Sequence, residues 1–322
     1  MDQMQHKYVT VQGLKLHVAD IGTGQLSRKT MQSSAILVAS LVQTYVVVFL
    51  HGFPEMWYSW RHQMIAVANA GFRAIAPDYR GYGLSDPPPE PEKTTYHDLI
   101  NDLLGILDAL AIPKVFLIGK DFGGRPAYLF ALLHPERVSG VVTLGVPYTP
   151  PTSRPQYEKS LPEGFYINRW QEPGRAEADF GSLDAKTVVQ NVYILFSRSE
   201  LPIAAENQEI MDLVDSSTPL PPWLAGSTPK SPHLAQYSYW VIKEDLGMAT
   251  DPTVKVPVLN IMGNKDYVFK FPRMSDYINS GKLKEYVPNL EIVFLPEGTH
   301  FVQEQLPEQI NELIFTLLGK HI

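Results

Sequence analysis

The chain has 322 residues, 44% of them hydrophobic and 19% charged, enough for one large α/β domain with an insertion or for two small domains. A formal net charge of -7 with no basic stripe argues against nucleic acid or an anionic membrane surface as partner. The absence of cysteine excludes disulfides, thiolate metal sites and a cysteine nucleophile, and fits a reducing, cytoplasmic setting.

In chain order, residues 1–7 lack the basic-then-apolar order of a secretory signal, and residues 319–322 do not form a peroxisomal address. Residues 8–19 read as a hairpin around Gly13. The run 35–50 is almost wholly apolar but shorter than the ~20 residues of a membrane span, so no span is expected. Residues 46–50, 73–76, 115–118, 141–144, 258–262 and 291–295 read as short, β-branched strands. Helical patterns separate them, notably 96–110, with Leu99, Leu103, Ile106, Leu107 and Leu110 on one face, and 307–318, with Ile310, Leu313, Ile314 and Leu317 inward. This alternation predicts an α/β fold, a mostly parallel central sheet flanked by helices.

The alternation stops near Pro147 and resumes at Val256. The sequence between them is rich in proline, tyrosine and tryptophan, with helical patches at 185–196 and 204–214, and is too long for a loop. It predicts a mostly helical cap, residues 148–249, inserted into a core of residues 1–147 and 250–322.

The chemistry centres on Gly119-Lys120-Asp121-Phe122-Gly123-Gly124, which lies between a strand and a helix. Small residues flank a reactive position there because the chain turns sharply and the next helix packs close to the sheet. It resembles the nucleophile elbow of the α/β-hydrolase fold, with aspartate where serine is usual. Alone, the hexapeptide reads equally well as a glycine-rich turn whose aspartate caps a helix. His51-Gly52-Phe53-Pro54 follows an earlier strand, where this fold takes one N–H of its oxyanion hole; the other comes from the residue after the nucleophile. Here those donors would be Phe53 and Phe122. The glycines of 78–85 (Asp78-Tyr79-Arg80-Gly81-Tyr82-Gly83-Leu84-Ser85) read as tight-turn positions. Asp266 and His300 each stand just past a strand, completing the order nucleophile, acid, histidine.

With these motifs the chain resembles the plant-type soluble epoxide hydrolases of the α/β-hydrolase superfamily across residues 46–146, 161–223 and 256–322. The resemblance implies a covalent ester on Asp121, hydrolysed by water that His300 and Asp266 activate. It also implies that Tyr166, in Gly164-Phe165-Tyr166-Ile167-Asn168-Arg169-Trp170, is one of two cap tyrosines that bind the epoxide oxygen. An aspartate suits this chemistry because its ester can be cleaved by water, whereas a serine ether cannot. The expected partners are a lipophilic epoxide and water, with no cofactor and no metal, in a monomer or homodimer.

Two segments depart from the family. About twenty residues, 25–44, stand where a short link is usual, and the segment 224–242 looks shortened and rewritten. Tyr237 and Tyr239 in that segment are either cap-packing aromatics or the second phenol, and the altered cap leaves open an impaired, ligand-binding member of the fold. A haloalkane dehalogenase also uses an aspartate elbow, but that resemblance asks for tryptophan after the nucleophile, where this chain has Phe122.

Overall fold

The structure, a computed structural model, describes residues 3–24, 44–150, 160–215, 217–224 and 251–322. Eight strands form one sheet: β1 (Gln5–Val11), β2 (Leu14–Ile21), β3 (Val46–Leu50), β4 (Arg73–Pro77), β5 (Val115–Lys120), β6 (Val138–Leu144), β7 (Val258–Gly263) and β8 (Leu290–Leu295). Their spatial order is β1-β2-β4-β3-β5-β6-β7-β8. β2 runs antiparallel to β1 and β4, and the other neighbouring pairs are parallel.

The central strands show why they read as unbroken apolar runs. Every residue of β3 and β5 is buried. Val46, Val48 and Leu50 enter one hydrophobic core, and Val47 and Phe49 enter the other. The same alternation sends Val115 and Leu117 one way and Phe116 and Ile118 the other, the period of two acting on a sheet covered on both faces. α1 (Arg61–Asn69) and the terminal helix Pro307–Lys320 supply one layer, while α2 (Tyr96–Ala109) and α3 (Gly124–Leu133) supply the other. α2 begins where a capping box forms: Thr95 accepts from the Asp98 N–H, and the Asp98 carboxylate accepts from the Thr95 N–H.

Between β6 and β7 lie the helices Tyr166–Trp170, Arg175–Gly181 and Ala185–Phe196. They pack over the carboxyl ends of the strands. Trp170 meets Phe53 after β3, Tyr166 meets Tyr267 after β7, and Tyr193 meets Phe301 after β8. The helix expected over 204–214 does not form; only the 3-10 turn Met211–Leu213 is present. Arg169 explains this. Its buried guanidinium bonds the carbonyls of Gln208 at 2.6 Å and Ala204 at 3.3 Å, and also that of Ala205, which a helix would use internally. The segment 25–43, with most of the apolar run 35–50, and the rewritten stretch 225–242 lie outside the described residues. Among the described residues no helix is long and apolar enough to cross a membrane.

Candidate active site

Three strand ends converge. Asp121 follows β5 with φ 53, in the left-handed region that non-glycine residues enter at a cost of about 1–3 kcal/mol. Close packing holds it there. A Cβ on Gly123 would run into the carbonyl oxygens of Leu50 and His51, and one on Gly52 would lie 2.7 Å from the Asp121 Cβ. The turn therefore needs glycine at both places, and it lifts the Asp121 carboxylate off the end of the sheet.

Each carboxylate oxygen has its own neighbour. Oδ1 accepts from the Phe53 N–H at 3.1 Å, and the Phe122 N–H also bonds the carboxylate. Oδ2 lies 3.2 Å from His300 Nε2. On the far side of the ring, His300 Nδ1 lies 3.0 and 3.1 Å from the two Asp266 oxygens. Asp266 Oδ1 also accepts from the Val268 N–H at 3.0 Å, which fixes the carboxylate that orients the ring. All three groups are buried. The sequence-predicted nucleophile, base, acid and both hole donors thus meet at one point.

Charge and burial compete here. Burial pushes the Asp121 carboxyl up, but the hydrogen bond and charge of His300, then Lys120 and the Phe122 N–H, hold it below the usual carboxylate range. Burial pulls the His300 imidazole down, and Lys120 adds to that. The Asp266 charge and the bonds to Asp121 and Asp266 outweigh both, leaving it above its ordinary value. The pair is accordingly a carboxylate beside an imidazole that Asp121 itself makes more basic.

Tyr166 is buried, and its hydroxyl lies 3.1 Å from that of Tyr267. Tyr267 was not singled out by sequence reasoning. Its ring stands edge-on to His300, with centroids 4.9 Å apart. Burial first, then Tyr166 and Asp121, raise the Tyr267 phenol well above its ordinary value, so it stays un-ionised. Its position directly after Asp266 was the available clue. Tyr237 and Tyr239 lie outside the described residues. Two more unpredicted groups, Lys120 and Glu55, are buried beside the site.

The family model for the alpha/beta hydrolase fold matches residues 45–306. The chain is 35% identical to epoxide hydrolase 2 of Siraitia grosvenorii, over 99% of this chain and 100% of that protein. The crystal structure of epoxide hydrolase VrEH1 from Vigna radiata superposes with a TM-score of 0.81 at 32% identity, covering 99% of each chain. Potato (Solanum tuberosum) epoxide hydrolase I gives a TM-score of 0.77 at 29% identity, over 98% of this chain and 99% of that one.

Proposed function

Since the chain belongs to the α/β-hydrolase superfamily and, within it, to the plant-type epoxide hydrolases, we propose that it converts lipophilic epoxides to vicinal diols through an ester on Asp121. The observation that carries this reading is the line Asp266–His300–Asp121, with the Phe53 N–H on the other carboxylate oxygen.

The geometry divides the labour. Asp121 Oδ2 attacks an epoxide carbon, and the ring C–O bond breaks as the ester bond forms. The leaving alkoxide is far more basic than a phenolate, so the Tyr166 hydroxyl gives it a proton and is later reprotonated from water. Tyr267 supports that transfer by donating to the Tyr166 oxygen as negative charge grows on it. The ester carbonyl, Oδ1, already faces the Phe53 N–H. His300 takes a proton from water, whose oxygen attacks the ester carbon, and the hole N–H groups stabilise the oxyanion. Collapse expels the alkoxide, which takes the imidazolium's proton, and the Asp121 carboxylic acid left behind releases the second water proton to solvent, balancing the one that restores Tyr166.

Timing follows from electrostatics. While Asp121 is ionised it favours the imidazolium. Esterification removes that charge, so His300 loses a reason to hold a proton at the step that needs a base. In this reading the helices between β6 and β7 belong to a cap, residues 148–249, that selects the epoxide. The lack of cysteine suits a cytoplasmic setting. An intact nucleophile–base–acid line favours an enzyme over a ligand-binding relic, and the Phe122 side chain has no N–H to hold a halide.

The test is a trap. His300→Gln should form the ester and fail to cleave it, so intact-protein mass spectrometry should show one added substrate mass, located on the Asp121 peptide. In wild-type single turnovers in oxygen-18 water, label should pass through Asp121. Label entering the diol directly, with none in Asp121, would overturn the ester mechanism.

A further inference from the structure

Directly behind the reacting groups lies a buried charge that the reaction as described does not use. Lys120, the last residue of β5, is 0% exposed, and its Nζ has no hydrogen-bond partner among the described residues. The nearest anion is Glu55, with Oε2 3.6 Å away, beyond a hydrogen bond. The Phe301 ring centroid lies 4.3 Å from Nζ. Glu55 is itself buried and already occupied: Oε1 accepts from Gln303 Nε2 at 2.6 Å, and Oε2 from the Gly52 N–H at 3.3 Å.

Each of these contacts leads back to the site. Lys120 precedes Asp121, Phe301 follows His300, and Glu55 bonds Gly52, which precedes the hole donor Phe53. Stability does not account for a lysine here. Burying an ammonium is costly, and a pair without direct hydrogen bonds offsets little of that, whereas methionine would fill the same space without the cost. A charge in so dry a position acts on its neighbours with little screening.

We propose that Lys120 is a positioning residue for ester hydrolysis: its ammonium, held between Glu55 and the Phe301 ring, keeps His300 in its basic form once Asp121 is esterified. This rests on the reading of Asp121 as nucleophile and His300 as base. The charged groups that act on His300 are Asp266, Asp121, Lys120 and Glu55, and the rings of Tyr267 and Phe301 stand against it. With Asp121 neutralised as an ester, Asp266 still favours the imidazolium, and Lys120 is the cation that opposes it. Glu55 weakens that opposition when ionised. Burial, with Asp121 and Glu304 nearby, pushes its carboxyl up against the pull of Lys120 and His300. Glu304 is engaged by Arg61 at 2.6 and 2.8 Å.

The experiment compares wild type, Lys120→Met and Lys120→Arg, with styrene oxide as probe. Stopped-flow single turnovers separate ester formation from ester breakdown across pH. In Lys120→Met the acid limb of ester breakdown should move up by about one pH unit, so that breakdown below the limb slows about tenfold. Lys120→Arg, which keeps the charge, should hold the wild-type limb. Independently of turnover, the His300 imidazole should titrate at higher pH in Lys120→Met by nuclear magnetic resonance. Lys120→Gln, neutral and polar, serves if the methionine variant does not fold. Coincident limbs and coincident His300 titrations in a folded neutral variant overturn the role of Lys120 alone. A wild-type protein that forms no Asp121 ester overturns the functional reading beneath it.

Discussion

The hydroxyls of Tyr166 and Tyr267 lie 3.1 Å apart, although 101 residues separate them in sequence. One phenol comes from the helices between β6 and β7, the other from the loop that also carries Asp266. If Tyr166 protonates the leaving oxide, Tyr166→Phe should cost about 2.7–4 kcal/mol of transition-state stabilisation, two to three powers of ten in the rate of ester formation. Tyr267→Phe should slow that step about fivefold, the worth of one supporting hydrogen bond. The double variant should be no slower than Tyr166→Phe alone. Stopped-flow single turnovers decide it, and additive losses would show the two phenols acting independently. Tyr237→Phe and Tyr239→Phe should change little beyond packing in the same assay.

The paired titrations of Asp121 and His300 also make a stability prediction. His300 is held above its ordinary value, so its contribution is fully present below the unfolded value of about 6.5 and fades as pH rises through the raised one. Asp121 is held below its ordinary value, so its contribution is present above about 3.9 and is lost as pH falls through the lowered one. Both are present together between those unfolded values. The difference in melting temperature between wild type and Asp121→Asn should therefore shift in favour of wild type at about pH 5.5 relative to about pH 9. A pH-independent difference would contradict the coupling.

At the elbow, Gly123→Ala places a methyl group against the carbonyls of Leu50 and His51. Backbone cannot swing aside as a flexible side chain would, so unfolding in urea should show a loss of about 1–3 kcal/mol. Ester formation should fall as well, because the shift displaces Asp121. Unchanged stability would mean that the turn is looser than its packing implies.

Arg169→Met tests the segment after the helix Ala185–Phe196. The guanidinium holds the Ala204 and Gln208 carbonyls, and bonds of that charged kind are worth about 1.5–3 kcal/mol each when buried. Backbone amides over residues 203–214 should exchange faster in the variant, while those of β5 stay protected. Uniform exchange across both would assign Arg169 a global role instead.

The positions of Asp121, Asp266 and His300 are legible in the sequence because each follows a short β-branched run, and such ends face the same way in a parallel sheet. The Phe53 and Phe122 N–H groups on the Asp121 carboxylate followed from the same logic. Tyr267 could not be read this way: its value lies in meeting Tyr166, and no local pattern encodes that meeting. Lys120 was visible as a flank of the elbow, but its burial depends on Phe301 and Glu55, both distant in sequence. The 204–214 segment carried a helical pattern that Arg169 overrides by capturing its carbonyls, a tertiary contact defeating a local preference.

The sheet holds Asp121 and His300 with unequal grip. β5, which ends at the elbow, is paired on both sides and buried throughout, whereas β8, which leads to His300, lies at the sheet's end with a half-exposed face. Edge elements open first when a fold is loosened. On the proposed mechanism, mild denaturation should thus detach His300 while Asp121 still stands, and an enzyme in that condition would consume itself. In low urea with styrene oxide, protein carrying one stable adduct on Asp121 should accumulate before the sheet's circular dichroism changes. Loss of activity without an adduct would mean that the two strand ends fail together.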